Sequence, residues 1–171
     1  MSRPRLGPRI RPASGSEGDR RFLREMLYEA AAWRPGPARP SFDRVMSNRQ
    51  VALYVEGWPC AGDAGVVAED DAGRALGAAW YRLFAEDEPG YGFIDPSIPE
   101  ITAAVRSEVR GRGVGTALLE ALVERARADG HEALSLSVEM DNPAAHLYER
   151  AGFARVGRGE NVWTMRLDLD A

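Results

Sequence analysis

The residues best suited to chemistry lie in two short runs. The first is Arg110-Gly111-Arg112-Gly113-Val114-Gly115-Thr116. Glycines at alternate positions let a backbone turn tightly and approach a ligand without Cβ clashes. Apolar residues at helical spacing follow at once (Ala117, Leu118, Leu122 and Ala126, with Leu119 and Val123 beside them). The loop therefore opens a helix, whose first N–H groups lack internal partners and whose dipole places partial positive charge there. Such a site suits a phosphate or pyrophosphate. Arg110 and Arg112 add charge, and Thr116 adds a hydroxyl donor. A nucleotide P-loop is excluded, since no Gly-Lys-Ser/Thr follows. A dinucleotide fingerprint fits poorly: the loop sits late in the chain, and the nearest acid, Glu139, is 24 residues past Gly115 instead of about 20. An ordinary glycine turn into a helix remains open at this point.

The second run is Asn142-Pro143-Ala144-Ala145-His146-Leu147-Tyr148-Glu149-Arg150-Ala151-Gly152-Phe153. Asn142 suits a helix N-cap and Pro143 the first helical position. Ala144, Leu147, Tyr148 and Ala151 recur at i, i+3, i+4 and i+7, which puts Tyr148 on the inward stripe.

Together the two runs resemble the GNAT superfamily of acyl-CoA N-acyltransferases. Arg110-x-x-Gly113-x-Gly115 is similar to the first signature of that family. Asn142, Leu147-Tyr148-Glu149 and Gly152-Phe153 are similar to the second, at normal spacing. The strong part covers residues 98–156. The resemblance implies direct transfer of an acetyl group from acetyl-CoA to an amine. It implies that Arg110 to Thr116 hold the pyrophosphate, and that the backbone of Ala103, Ala104 and Val105 receives the pantetheine arm. Asn142 matches a position that bonds the pantetheine or holds neighbouring strands apart. Tyr148 matches the proton donor to the departing thiolate. Glu100 matches a position where some members carry the general base.

An alkyl ammonium, with a pKa near 10.4, must lose a proton before it attacks. Glu100 is the first candidate to take it and Glu139 the second; water or bulk solvent is a third route. Ser137 stands where some members have a carboxylate, so the base is not fixed by the motif. His131 and His146 read as surface residues, and no metal cluster is visible. Cys60, the one cysteine, has no histidine near it and reads as no nucleophile.

The elements that must position these residues follow from pattern. Strands are expected at Ile10–Ala13, Val51–Val55, Ala64–Glu69, Ala75–Phe84, Glu100–Val105, Ala133–Glu139, Phe153–Val156 and Asn161–Leu169. Helices are expected from Asp19 as cap to Trp33, over Phe42–Arg49, Gly113–Asp129 and Asn142–Ala151. Asp70-Asp71-Ala72-Gly73 reads as a hairpin turn. Residues 1–8 read as a loose tail and 9–171 as one domain. The resemblance implies an α+β fold: a mostly antiparallel twisted sheet of about six or seven strands with helices on both faces.

The segment Ala85–Pro99 is too irregular for a core element and should border the acceptor. Its Glu86, Asp87, Glu88 and Asp95 would favour a cation. Trp80, Tyr81, Tyr91 and Phe93 are expected to wall that site, with Trp33 and the proline-rich turn after it on the far side.

A net charge of −4 speaks against a nucleic-acid binder with a broad basic face. No run approaches the ~20 apolar residues of a membrane span. The basic N-terminus lacks the apolar stretch of a signal peptide. With a single cysteine, the expectation is a cytoplasmic enzyme acting on a small-molecule or peptide amine, without metal and compatible with a homodimer. The competing reading is a non-catalytic acyl-CoA sensor or partner-binding module on the same fold. An intact Tyr148 argues against it, because a sensor needs no acid.

Overall fold

The computed structural model describes residues 7–170. The expected tail at 1–8 therefore falls, through residue 6, outside the described residues. Seven strands form one sheet: β1 (Arg9–Pro12), β2 (Ala64–Glu69), β3 (Ala75–Arg82), β4 (Glu100–Val105), β5 (Ala133–Glu139), β6 (Ala154–Gly159) and β7 (Val162–Asp168). Their order is β1-β2-β3-β4-β5-β7-β6. Every neighbouring pair is antiparallel except β4 with β5. The fold is thus the mixed α+β architecture with a mostly antiparallel sheet.

Helices cover both faces. Alternation along the central strands sorts their side chains between two cores. Val67, Ala78 and Trp80 pack with Phe22, Leu23, Met26 and Leu27 of α1 (Glu17–Ala31). Val66, Ala68, Ala79 and Tyr81 pack with Leu118, Leu119 and Leu122 of α4 (Val114–Ala128). The apolar stripe of α4 falls where its period places it.

Four expectations are corrected. Asp19 does not cap α1. Ser16 does, accepting the Asp19 N–H at 3.1 Å, and the Asp19 carboxylate instead accepts from Ser14 and from Arg11 of β1. Val51–Val55 is not a strand. The expected second helix divides into α2 (Phe42–Met46) and α3 (Arg49–Ala52), and the chain stays in tight turns through Trp58. Val51, Tyr54, Val55 and Trp58 recur at i, i+3, i+4 and i+7. That helical period overrides the short alternation, and all four pack on the α1 side of the sheet. Finally, α5 spans Ala144–Arg150, shorter than expected. Asn142 still serves its start, for its Oδ1 accepts the Ala144 N–H at 3.0 Å.

Candidate active site

Strands β4 and β5 run parallel but meet at one register pair, Glu100 with Ser135. The Ser135 N–H donates to Pro99 O at 3.0 Å at that junction. Beyond it the strands splay, and a cleft of about 990 Å³ opens between them.

The β4 edge facing this cleft is unpaired backbone. Arg106 N–H donates to Leu76 O at 2.8 Å, so residues 106, 104, 102 and 100 spend their backbone groups on β3. The N–H and C=O groups of Ala103 and Val105 then point toward β5, where no strand meets them. Ala104 departs from expectation here: it lines the cleft, but its backbone is committed to Ala78.

The glycine loop closes one end of the cleft. Gly111 and Gly113 have φ of +75° and +83°, a region that side chains rarely adopt. None of the backbone N–H groups from Gly111 to Thr116 has an acceptor among the described residues; the first bonded one is Ala117, to Gly113 O at 3.1 Å. Arg110, Gly111, Gly113, Val114, Gly115 and Thr116 all line the cleft. Arg112 does not, and it is exposed. Arg110 lies 3.6 Å from Glu29, which also holds Arg39 at 2.9 Å. Six free donors at a helix start fit a pyrophosphate, and the unpaired edge of β4 fits an extended amide-bearing arm.

Tyr148 projects from α5 into the same cleft. Its ring packs edge-on against Phe153, centroids 5.9 Å apart. Its hydroxyl bonds no group among the described residues. Burial pushes the phenol up to about 12. Asn142 also lines the cleft, beside Pro143 and Ala144.

Glu100 lies at the root of the splay, 2% exposed. One carboxylate oxygen accepts the Tyr54 hydroxyl; the other accepts the Gly92 N–H at 2.9 Å. Burial raises the carboxyl to about 7, although both hydrogen bonds favour the charged form. Glu139 lines the cleft farther out, and its carboxylate accepts from Trp33 Nε1 and lies 3.7 Å from Arg34. Of the two carboxylates weighed from sequence, Glu100 is the buried one with a raised pKa.

The residues expected to wall an acceptor only partly line the cleft. Trp80 and Tyr81 are fully buried and face opposite cores. Trp80 Nε1 donates to Tyr54 O at 3.0 Å, and the Tyr81 hydroxyl donates to Asp129. Neither reaches the cleft, because β3 is central and covered on both faces. Glu86, Asp87, Glu88 and Asp95 are exposed and do not line the cleft; Glu88 pairs with Arg49, and Asp95 accepts from Ser97. Phe93 packs against the α1-side core. Tyr91, Trp33 and Pro35 do line the cleft, as expected.

Tyr54 was hidden from sequence reading by the strand assigned to it. Its helical spacing with Val51 and Trp58 was the signal that could have turned it inward. Glu29, also a cleft residue, carries no pattern that sets it apart from the other charges of α1.

Among the described residues, no group of three or more His, Cys, Asp or Glu is placed to hold a metal ion. No helix of the described residues is long and apolar enough to cross a membrane. Cys60 is exposed, and His146 is exposed on α5.

Residues 26–153 match the family described as the acetyltransferase (GNAT) family. The chain is 34% identical over 139 residues to an L-methionine sulfoximine/L-methionine sulfone acetyltransferase of Pseudomonas paraeruginosa, covering 73% of this chain and 75% of that one. It is 37% identical over 97 residues to an L-2,4-diaminobutyric acid acetyltransferase of Nocardia farcinica, covering 54% and 42%. Among solved structures, a putative acetyltransferase, yncA of Salmonella typhimurium, with its cofactor acetyl-CoA, superposes with a TM-score of 0.67. That pair is 23% identical over 97% of this chain and 96% of the other.

Proposed function

From the premise that this chain belongs to the GNAT family and is an acetyl-CoA-dependent N-acetyltransferase, we propose that it acetylates a small primary amine, with Tyr148 as general acid and Glu100 as general base. One observation carries the reading: Glu100, from β4, and Tyr148, from α5 beyond β5, line a single cleft opened by the splay of those strands.

In this reading the donor half of the cleft positions the thioester. The free N–H groups of 111–116 grip the pyrophosphate, Asn142 steadies the pantetheine, and the β4 edge pairs with its amides. An N–H of Ala103 or Val105 is available to the oxyanion that forms as the carbonyl carbon becomes tetrahedral. Glu100, ionised above about pH 7, accepts a proton from the bound ammonium. The freed nitrogen lone pair attacks the thioester carbonyl carbon. The C–S bond then breaks, and the thiolate takes a proton from Tyr148. Solvent removes the proton left on Glu100, and the second proton of the attacking nitrogen restores Tyr148 through solvent.

A phenol at about 12 is a weak acid beside a thiol, for which about 8.5 is ordinary. The same dry surroundings destabilise the leaving thiolate, and the difference between the two anions decides the transfer. The high value also keeps Tyr148 protonated throughout the working range.

The relatives acting on amino-acid-like amines support a small acceptor. The test is release of free CoA thiol against a panel of small primary amines, including methionine sulfoximine and 2,4-diaminobutyrate. Turnover with an N-acetyl product is expected for at least one. Tight acetyl-CoA binding without release for any amine would favour the sensor reading instead.

A further inference from the structure

We propose that Tyr54 is a positioning residue for Glu100, clamping its carboxylate against the 90–92 loop so that it faces the acceptor; the inference rests on Glu100 being the base. The Tyr54 hydroxyl sits between two partners. It donates to one Glu100 oxygen and accepts the Tyr91 N–H at 2.8 Å. The next N–H, of Gly92, donates to the other Glu100 oxygen at 2.9 Å. Tyr54, the loop and the carboxylate therefore close one ring of hydrogen bonds.

The ring is tight. A Cβ on Gly90 would lie 2.5 Å from Glu100 Oε1 and 2.8 Å from the Tyr54 hydroxyl oxygen. The Tyr54 and Tyr91 rings stack nearly parallel, 11° apart in plane with centroids at 6.3 Å. Both rings and Glu100 line the cleft.

Tyr54 is itself anchored independently of Glu100. Trp80 Nε1 donates to its carbonyl at 3.0 Å. Arg82 donates to the carbonyls of Leu53 and Glu56 on either side, each at 2.7 Å, while its guanidinium pairs with buried Asp63 at 2.7 Å. Removing only the hydroxyl should thus leave the segment in place.

The surroundings isolate this one contact. On β3 the register partner of Glu100 is Arg82, whose charge is spent on Asp63. On β5 the partner is Ser135, which does not titrate, and Glu139 stands farther out in the cleft, held by Trp33 and Arg34. From α1, Glu29 enters the cleft but is held by Arg39 and Arg110. On the loop, Glu86, Asp87, Glu88 and Asp95 are exposed and outside the cleft. Tyr54 and the Gly92 N–H are the groups that bond the carboxylate.

The test is the pH profile of kcat for amine acetylation in wild type, Tyr54→Phe and Glu100→Gln, with acetyl-CoA affinity and Tm as controls. In Tyr54→Phe the acid limb should move up by about one pH unit, a loss of about tenfold below the limb. On the alkaline side the variant should stay below wild type, because the ionised carboxylate is no longer held toward the acceptor, with acetyl-CoA affinity unchanged. An unmoved acid limb overturns the inference, as does an equal loss at every pH. Wild-type activity in Glu100→Gln removes the base, and the inference with it. An inactive Glu100→Gln beside an unshifted Tyr54→Phe removes only the role of Tyr54.

Discussion

Glu100 and Ser135 are the single register pair between β4 and β5, and the cleft exists because the pairing stops there. One end of β4 is locked to β5 and the other is free. The locked end buries a carboxylate, and the free end bares backbone amides. The proposed acceptor and donor chemistry divide along the same strand.

The 90–92 loop docks at this junction. A Cβ on Gly92 would lie 2.5 Å from the carbonyl carbon of Leu136 and 2.7 Å from the Ser137 nitrogen, both backbone atoms of β5. Gly92→Ala should push the loop off β5 and take the N–H from Glu100. We expect kcat to fall at least tenfold and the acceptor KM to rise, with acetyl-CoA affinity held; steady-state kinetics beside calorimetry would read this. Unchanged kinetics would show that the loop does not bear on the base.

Tyr148→Phe removes a hydroxyl that no protein group among the described residues bonds, so little stability should be lost. A general acid contributes about 10²-fold or more to rate. We expect kcat to fall by about that factor while the acetyl-CoA Kd stays as in wild type. Full activity in the variant would take Tyr148 out of the mechanism.

Gly113→Asp strains a residue at φ +83° and sets a negative charge among the free N–H groups. Acetyl-CoA binding should weaken at least tenfold by calorimetry, and more than for Gly113→Ala, which keeps the strain without the charge. Equal affinity of the aspartate variant and wild type would place the pyrophosphate elsewhere.

Burial raises the Glu100 carboxyl from its ordinary value near 4.5 to about 7. The unfolded chain releases this proton earlier than the folded one does. The stabilisation from this group is therefore complete below about pH 4.5 and lost as pH rises through about 7. Glutamine cannot ionise. The stability of Glu100→Gln relative to wild type should thus climb between pH 4.5 and 8, by as much as about 3 kcal/mol, and Tm measured against pH reads the trend. A difference that does not vary with pH would mean that Glu100 titrates normally.

Much of the proposed donor half is legible in sequence, because it is built from local rules. Alternate glycines before a helical stripe specify a turn and a row of free N–H groups. Asn142 before Pro143 specifies a helix start, and the period of α5 turns Tyr148 inward. The proposed acceptor half is legible only at Glu100, Tyr91, Trp33 and Pro35 of the turn after it. Its remaining parts depend on contacts between distant segments: Tyr54 meets Glu100 across 46 positions. The acids of residues 86–95 misled because loop composition does not tell which way a loop docks. Trp80 and Tyr81 misled because the covering of β3 on both faces is set by α1 and α4, not by the strand.

The most direct test of the central claim is a crystal structure of Glu100→Gln with acetyl-CoA and an acceptor amine trapped together. The amine nitrogen is expected within about 3.2 Å of the residue 100 carboxamide, directly or through one water, and the Tyr148 hydroxyl within hydrogen-bond reach of the thioester sulfur. An amine seated against Glu139, or a sulfur beyond the reach of Tyr148, would contradict it.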